Sequence, residues 1–307
     1  MEPQPNLIDH LPEMPLYHYS SPGGLLGMME SKSIWMSNIR YQNDSEEYNH
    51  IFKVFKKLIE EEYPEFETRH YLGNQTEREL FVPTVFTFSL TENKDLLSQW
   101  RGYCPNGGYS FGFDRSQLND FITRFGLSIH RCIYDEDEQR KAIREQVIRF
   151  SPQDWGDIRS GKKQWDSSLI YGSRYMFNRL ANLAPVLKHH AFKEEVEWRL
   201  IKNFEGSGPE NRPLEQHPAF NYFKAKPEAE KSGDGQFLKF REDKGILIPY
   251  LSLPLVDLAD PYQSVKLSEV VIGPSVRQQL AKPACESMLK SWGVWCPVNP
   301  SEAPYRE

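Results

Sequence analysis

With 307 residues and a mass of 35.9 kDa, the chain has room for one large domain or for a core domain carrying an insertion. A net charge of -6, a pI of about 5.8 and the lack of any long block of like charge argue against a broad nucleic-acid footprint, though not against a local basic groove. Cys104, Cys132, Cys285 and Cys296 form no CxxC pair and have no histidine at metal-ligand spacing, so they read as reduced, mostly buried thiols.

Residues 1–13 read as a flexible, polar, proline-rich start. Met1 to Pro15 has neither the basic nor the apolar region of a signal peptide, and no apolar run approaches a membrane span. The expectation is a soluble, cytoplasmic protein with no membrane partner.

From Met14 to Tyr19 a first strand is predicted, with Leu16 and His18 on one face and Tyr17 and Tyr19 on the other. Ser20-Ser21-Pro22 opens a short helix, with serine at the cap and proline in the first turn. Ser33 to Ser37 reads as a second strand. Asn43-Asp44 leads into a helix in which Tyr48, Ile51, Phe52, Phe55, Leu58 and Ile59 recur at helical spacing, ending before Pro64. Glu65 to Glu79 is polar and reads as peripheral.

Val82 to Ser89 is a strand, and Leu90 to Gly107 a loop holding Trp100, Arg101 and Tyr103. Gly108 to Phe113 is a strand whose glycines allow close approach of backbone or ligand. A helix over Asp114 to Phe125 and a strand over Leu127 to Tyr134 follow. Residues 135–190 read as a helical insertion, with Met176, Leu180, Leu183 and Leu187 as its core stripe. Residues 203–234 read as a loop insertion. Phe237 to Phe240 and Gly245 to Leu253 are paired strands, and Ser268 to Pro274 a strand entering a turn. Ser275 to Ser291 is the last helix and Val294 to Pro297 a final short strand. The irregular order of strands and helices predicts an α+β fold with mixed or antiparallel sheets and flanking helices, residues 14–307 forming a single domain.

The densest stretch is Phe192 to Ile201. Val196, Trp198 and Leu200 alternate there with Glu195, Glu197 and Arg199, as in a strand. Two carboxylates on one face, roughly 7 Å apart, raise each other's pKa or demand a cation between them. They read equally as a solvated sheet edge or as the acidic pair of an active site. No dinucleotide fingerprint, P-loop, HExxH or GxSxG is present. The adjacent His189 and His190 face different ways on a helix, and nothing marks Cys104 as a nucleophile.

The ordered set Leu16 to Ser20, Ser33 to Ser37, Asn43-Asp44 with Glu47, Phe86 to Ser89, Trp100 with Tyr103, Gly108 to Phe113, Glu195 to Arg199 and Val270 to Pro274 resembles the bacterial family of domain of unknown function 2971. Its opening and its late strand glutamate resemble ADP-ribosyltransferases. That resemblance implies an ADP-ribosyltransferase-like fold that takes NAD as substrate, with no metal. It places His18 against a ribose of NAD, and Ser89 with Tyr19 or Trp35 in the nicotinamide pocket. Glu197, with Glu195 as partner, falls at the nicotinamide-ribose hydroxyl. Asn43, Asp44, Trp100, Tyr103 and Arg199 complete the expected binding set. The activity implied is ADP-ribosyl transfer or NAD hydrolysis, with an unspecified acceptor, in a toxin or anti-phage effector.

Plainer roles are open for the same residues. His18 can be a core histidine, Asp44 with Glu47 a capping box, and Trp100 and Tyr103 loop pins. Arg199 can neutralise Glu197 structurally and lower its pKa. A non-catalytic module for a nucleotide or nucleic-acid end, and a metal-dependent nuclease built on Asp44, Glu47, Glu195 and Glu197, are the alternative functions.

Overall fold

The computed structural model describes residues 11–41, 45–62, 85–146, 180, 183–203, 237–243, 245–257 and 263–304. Among the described residues, ten strands form one mixed, mostly antiparallel sheet with helices packed around it, the α+β class expected. The expected residues Asn43, Asp44 and Met176, and the segment Glu65 to Glu79, lie outside the described residues, as does most of the 135–190 and 203–234 insertions.

The first strand, β1 (Tyr17–Ser20), runs into helix α1 (Pro22–Ser31) through the expected cap: Ser21 Oγ accepts the Gly24 N–H at 3.2 Å and Pro22 fills the first turn. Strand β2 (Ser33–Asn38) follows directly, and α2 (Ser45–Glu62) buries Ile51, Val54, Phe55 and Leu58 on one face. Strand β3 (Val85–Thr91) is the middle of the sheet. The expected loop after it contains a short helix, α3 (Leu97–Tyr103).

Strand β4 (Tyr109–Phe113) leads to α4 (Arg115–Phe125), capped by Asp114 at one end and by Gly126 in the left-handed region at the other. The alternate glycines around β4 make room for protein. A Cβ on Gly112 would meet the Tyr17 ring at 2.8 Å, and one on Gly108 would meet the Ser20 carbonyl oxygen at 2.6 Å. Strand β5 (Ser128–Arg131), helix α5 (Glu136–Gln146), strands β6 (Glu197–Asn203), β7 (Leu238–Asp243), β8 (Ile246–Pro254) and β9 (Leu267–Ile272), helix α6 (Gln278–Ser291) and β10 (Val298–Pro300) complete the order. The final strand thus lies a few residues later than Val294 to Pro297, set by a parallel register of Val298 on Val270.

The sheet forks at β3. Along one edge β3 pairs with β6 from Val85↔Asn203 to Thr91↔Glu197, and β5 lies beyond β6. Its other edge is shared: Thr91 pairs with Tyr17 of β1, whereas Thr87 and Phe86 pair with Ser37 and Asn38 of β2. β4, β9 and β10 continue from β1, and β8 and β7 from β2. A large core, including Phe86, Phe111, Phe121, Trp198 and Leu251, fills one side. A second core gathers Phe55, Leu58, Ile143 and Ile201 with Leu180, Leu183 and Leu187, so the leucine stripe is core as expected.

Candidate active site

The fork opens a wedge in the sheet. Between its contacts with β1 and β2, Phe88 to Leu90 of β3 pair with neither strand among the described residues. His18 fills the gap: its Nδ1 lies 2.8 Å from the Ser89 carbonyl oxygen. A carbonyl only accepts, so Nδ1 carries the hydrogen and Nε2 keeps a lone pair. The ring stacks on Phe88 at 4.2 Å and leans on Phe111 at 5.4 Å. Burial lowers the His18 pKa to about 4, against a smaller opposite effect of the Ser89 bond, so the imidazole is neutral at physiological pH.

On the other side of β3, the expected strand from Phe192 does not form until Glu197. Residues His190–Glu195 make a tight helical turn, and Val196 takes a left-handed conformation with φ 42°. Alternation of residue types cannot reveal that kink. A β-branched residue there is a backbone outlier. Thr91 Oγ1 donates to the Glu195 carbonyl at 2.5 Å and Asn93 Nδ2 to that of Glu194 at 3.2 Å, pinning the turn to the end of β3.

The kink brings both carboxylates onto one cation. Lys188 Nζ lies 2.5 Å from Glu195 Oε2 and 2.7 Å from Glu197 Oε2. Arg199, the next residue on the same face of β6, grips Glu197 through Nε at 2.7 Å and a second nitrogen at 3.1 Å, and donates to the Pro185 carbonyl at 2.9 Å. Burial pushes the Glu197 carboxyl upward, but the charges and hydrogen bonds of Arg199 and Lys188 outweigh it and hold the pKa at about 2. The pair therefore has the cation its spacing demanded, and two acids face two bases. Lys188 and Arg199 together balance the charge of the two carboxylates.

A cleft of about 810 Å³ runs along the wedge. Of the residues singled out in the sequence, His18, Tyr19, Trp35, Ser89, Tyr103, Glu195 and Arg199 line it. Glu197 lines instead a small cell of about 30 Å³ beside it, with Gln99, His18, Ser89, Tyr103 and Glu195. Trp100 is placed differently from the binding role expected. Its indole is buried edge-on to Tyr19 at 4.5 Å and donates to Asp95 Oδ1 at 2.6 Å, so it supports the cleft wall from behind. The Cys104 thiol is buried and pushed up to about 11 by desolvation, which keeps it protonated.

Nothing in the sequence marks Lys188 and Arg241 of the cleft or Gln99 of the small cell. Lys188 follows the leucine stripe as one lysine among many, Gln99 has no motif around it, and Arg241 lies on β7 after a poorly patterned segment. Arg241 donates to Ser37 Oγ at 3.2 Å and is the cleft-lining cation outside any ion pair among the described residues. Tracing the acidic pair to a cation required by charge balance is the signal that points to a lysine such as Lys188.

Residues 99–200 match the model of a family described as Protein of unknown function (DUF2971). The family that the ordered motifs resemble is borne out over that segment, which includes Gln99, Tyr103, Lys188, Glu195, Glu197 and Arg199. No curated protein and no solved structure matches the chain. Among the described residues, no helix is long and apolar enough to cross a membrane.

Proposed function

We propose that the chain is an NAD-consuming enzyme, an ADP-ribosyltransferase or NAD glycohydrolase, suited to a toxin or anti-phage effector. One observation carries the reading. The strands bearing His18 and Ser89 and the kink leading into β6 converge on a single cleft, with β3 between β1 and β6. These are the elements that the resemblance to ADP-ribosyltransferases assigns to the nicotinamide ribose and its pocket.

The local chemistry supports it. The cleft volume falls within the range of about 300–1,000 Å³ usual for ligand pockets. Trp35, Tyr103 and Phe192 offer flat surfaces for aromatic rings, and Arg241, in no ion pair among the described residues, offers a cation for a diphosphate. His18 Nε2 is an acceptor for a ribose hydroxyl. Breaking the nicotinamide-ribose bond develops positive charge on the sugar, which a fixed carboxylate stabilises mainly in the transition state. Glu195, lining the cleft, has that role here. Glu197 fixes Lys188 and Arg199 and thereby Glu195.

The test is nicotinamide release from NAD, quantified by mass spectrometry for wild type, Glu195→Gln and Glu197→Gln. Wild-type release, reduced about 10²- to 10³-fold in Glu195→Gln, is the expected result. Undiminished release by Glu195→Gln overturns its role, and failure of the wild type to bind or cleave NAD overturns the reading.

A non-catalytic module for a nucleotide or nucleic-acid end is the second reading, favoured by the three donor contacts that occupy the Glu197 carboxylate. It requires thermal stabilisation by ligand that survives Glu195→Gln, with no turnover by the wild type.

A further inference from the structure

We infer that the acceptor of the reaction is water, held in the small cell beside the cleft and positioned by Gln99. This rests on the NAD-consuming reading and narrows it to hydrolysis.

Gln99 stands on α3 and is 7% exposed, yet its side-chain amide makes no hydrogen bond to any protein group among the described residues. An amide without a protein partner is satisfied by water, and the Gln99 amide is not among the side-chain atoms sealed from solvent without a partner. It lines the cell of about 30 Å³, together with His18, Ser89, Tyr103, Glu195 and Glu197. A single water needs about 10–15 Å³ and two to four polar partners. The cell meets both requirements. A carboxamide donates through its nitrogen and accepts through its oxygen, so Gln99 can fix both the place and the orientation of a water molecule.

The cell shares His18, Ser89, Tyr103 and Glu195 with the cleft, so its occupant borders the substrate. Glu195 is the carboxylate common to both spaces, whereas Glu197 lines the cell alone. In the step, a water lone pair forms a bond to the anomeric carbon of the nicotinamide ribose. The carbon–nitrogen bond breaks, and its electron pair goes to the pyridinium nitrogen, releasing neutral nicotinamide. The water proton passes to the Glu195 carboxylate and then to solvent. NAD and water give ADP-ribose, nicotinamide and one proton.

The experiment follows purified full-length protein with NAD and measures nicotinamide, free ADP-ribose and ADP-ribose retained on macromolecules. Wild type is expected to release nicotinamide and free ADP-ribose in equal amounts. Gln99→Leu and Gln99→Asn are each expected to lower kcat about 10- to 100-fold with KM little changed. Nicotinamide release with ADP-ribose retained on a macromolecule overturns the inference and leaves the NAD-consuming reading intact. Wild-type kcat in both folded variants overturns the role of Gln99. No nicotinamide release under any condition overturns the parent reading and this inference with it.

Discussion

The Nδ1 of His18 lies 2.8 Å from the Ser89 carbonyl oxygen, across the wedge where β1 and β2 part from β3. One nitrogen of the ring thus satisfies a backbone group that the fork leaves without a ladder partner, and the other remains for a ligand. Structural and functional roles of His18 divide between two atoms of one ring.

That division is testable. In His18→Asn the shorter amide can still donate to Ser89 but offers nothing at the Nε2 position. Expected is a melting temperature within a few degrees of wild type and a loss of NAD cleavage of about 10²-fold or more. His18→Ala, which removes both, is expected to melt lower as well. Equal activity in His18→Asn and wild type would show that Nε2 has no part in the reaction.

Lys188 neutralises two carboxylates at once. Lys188→Met keeps much of its volume but removes the cation that bridges Glu195 and Glu197, leaving Arg199 on Glu197. Truncating one partner of a buried charged cluster costs about 3–5 kcal/mol, because the surviving charges stay buried. A loss of that order in urea unfolding is expected, and Lys188→Met combined with Glu195→Gln should recover part of it. If the double variant loses the sum of what Lys188→Met and Glu195→Gln lose singly, the two side chains are not coupled.

Acid should destabilise the fold over two pH windows. The folded His18 pKa of about 4 lies below its ordinary value of 6.5, so the unfolded chain takes up the proton first as pH falls. Stability contributed by its neutral burial is full above about pH 6.5 and is lost between there and about 4, on the order of 3 kcal/mol at most. Glu197 behaves differently. Its folded pKa of about 2 lies below the ordinary 4.5, so its stabilisation is present above about 4.5 and is lost as pH falls toward 2. Chemical denaturation across pH should show both windows, and His18→Asn should flatten the upper one alone.

How much of this was legible in the sequence depends on which physical signal each residue carried. Ser21-Pro22, Asp114 and the stripe of α2 were legible, because caps and helical periodicity are local. His18, Ser89 and the two glutamates were named from an order of motifs along the chain, and the fork explains why they meet: β3 is the shared neighbour of β1 and β6. Trp100 and Tyr103 looked alike as loop aromatics, yet three positions along a short helix bury one and leave the other facing the cleft. Lys188 and Gln99 were not legible. Their importance comes from contacts made across long separations, which composition and spacing do not record. The start of β6 was misplaced because alternation continues through Val196 while the backbone does not.

Val196 offers the sharpest check of that backbone. Its φ of 42° puts a β-branched residue in the region that glycine tolerates best. In an ordinary extended position alanine is more stable than glycine. At residue 196 the order should invert, with Val196→Gly more stable than Val196→Ala by about 1 kcal/mol, since both remove the valine side chain and only glycine removes the strain. Urea unfolding of the two variants measures the difference directly. The kink is also what directs Glu195 to Lys188, so both variants should keep NAD cleavage within about threefold of each other if the turn is intact. A proline at the same position cannot reach positive φ and should abolish both the turn and the activity. Should alanine prove the more stable of the pair, residue 196 is extended in solution, Glu195 and Glu197 share a strand as their alternation first suggested, and the assignment of Glu195 to the cleft falls.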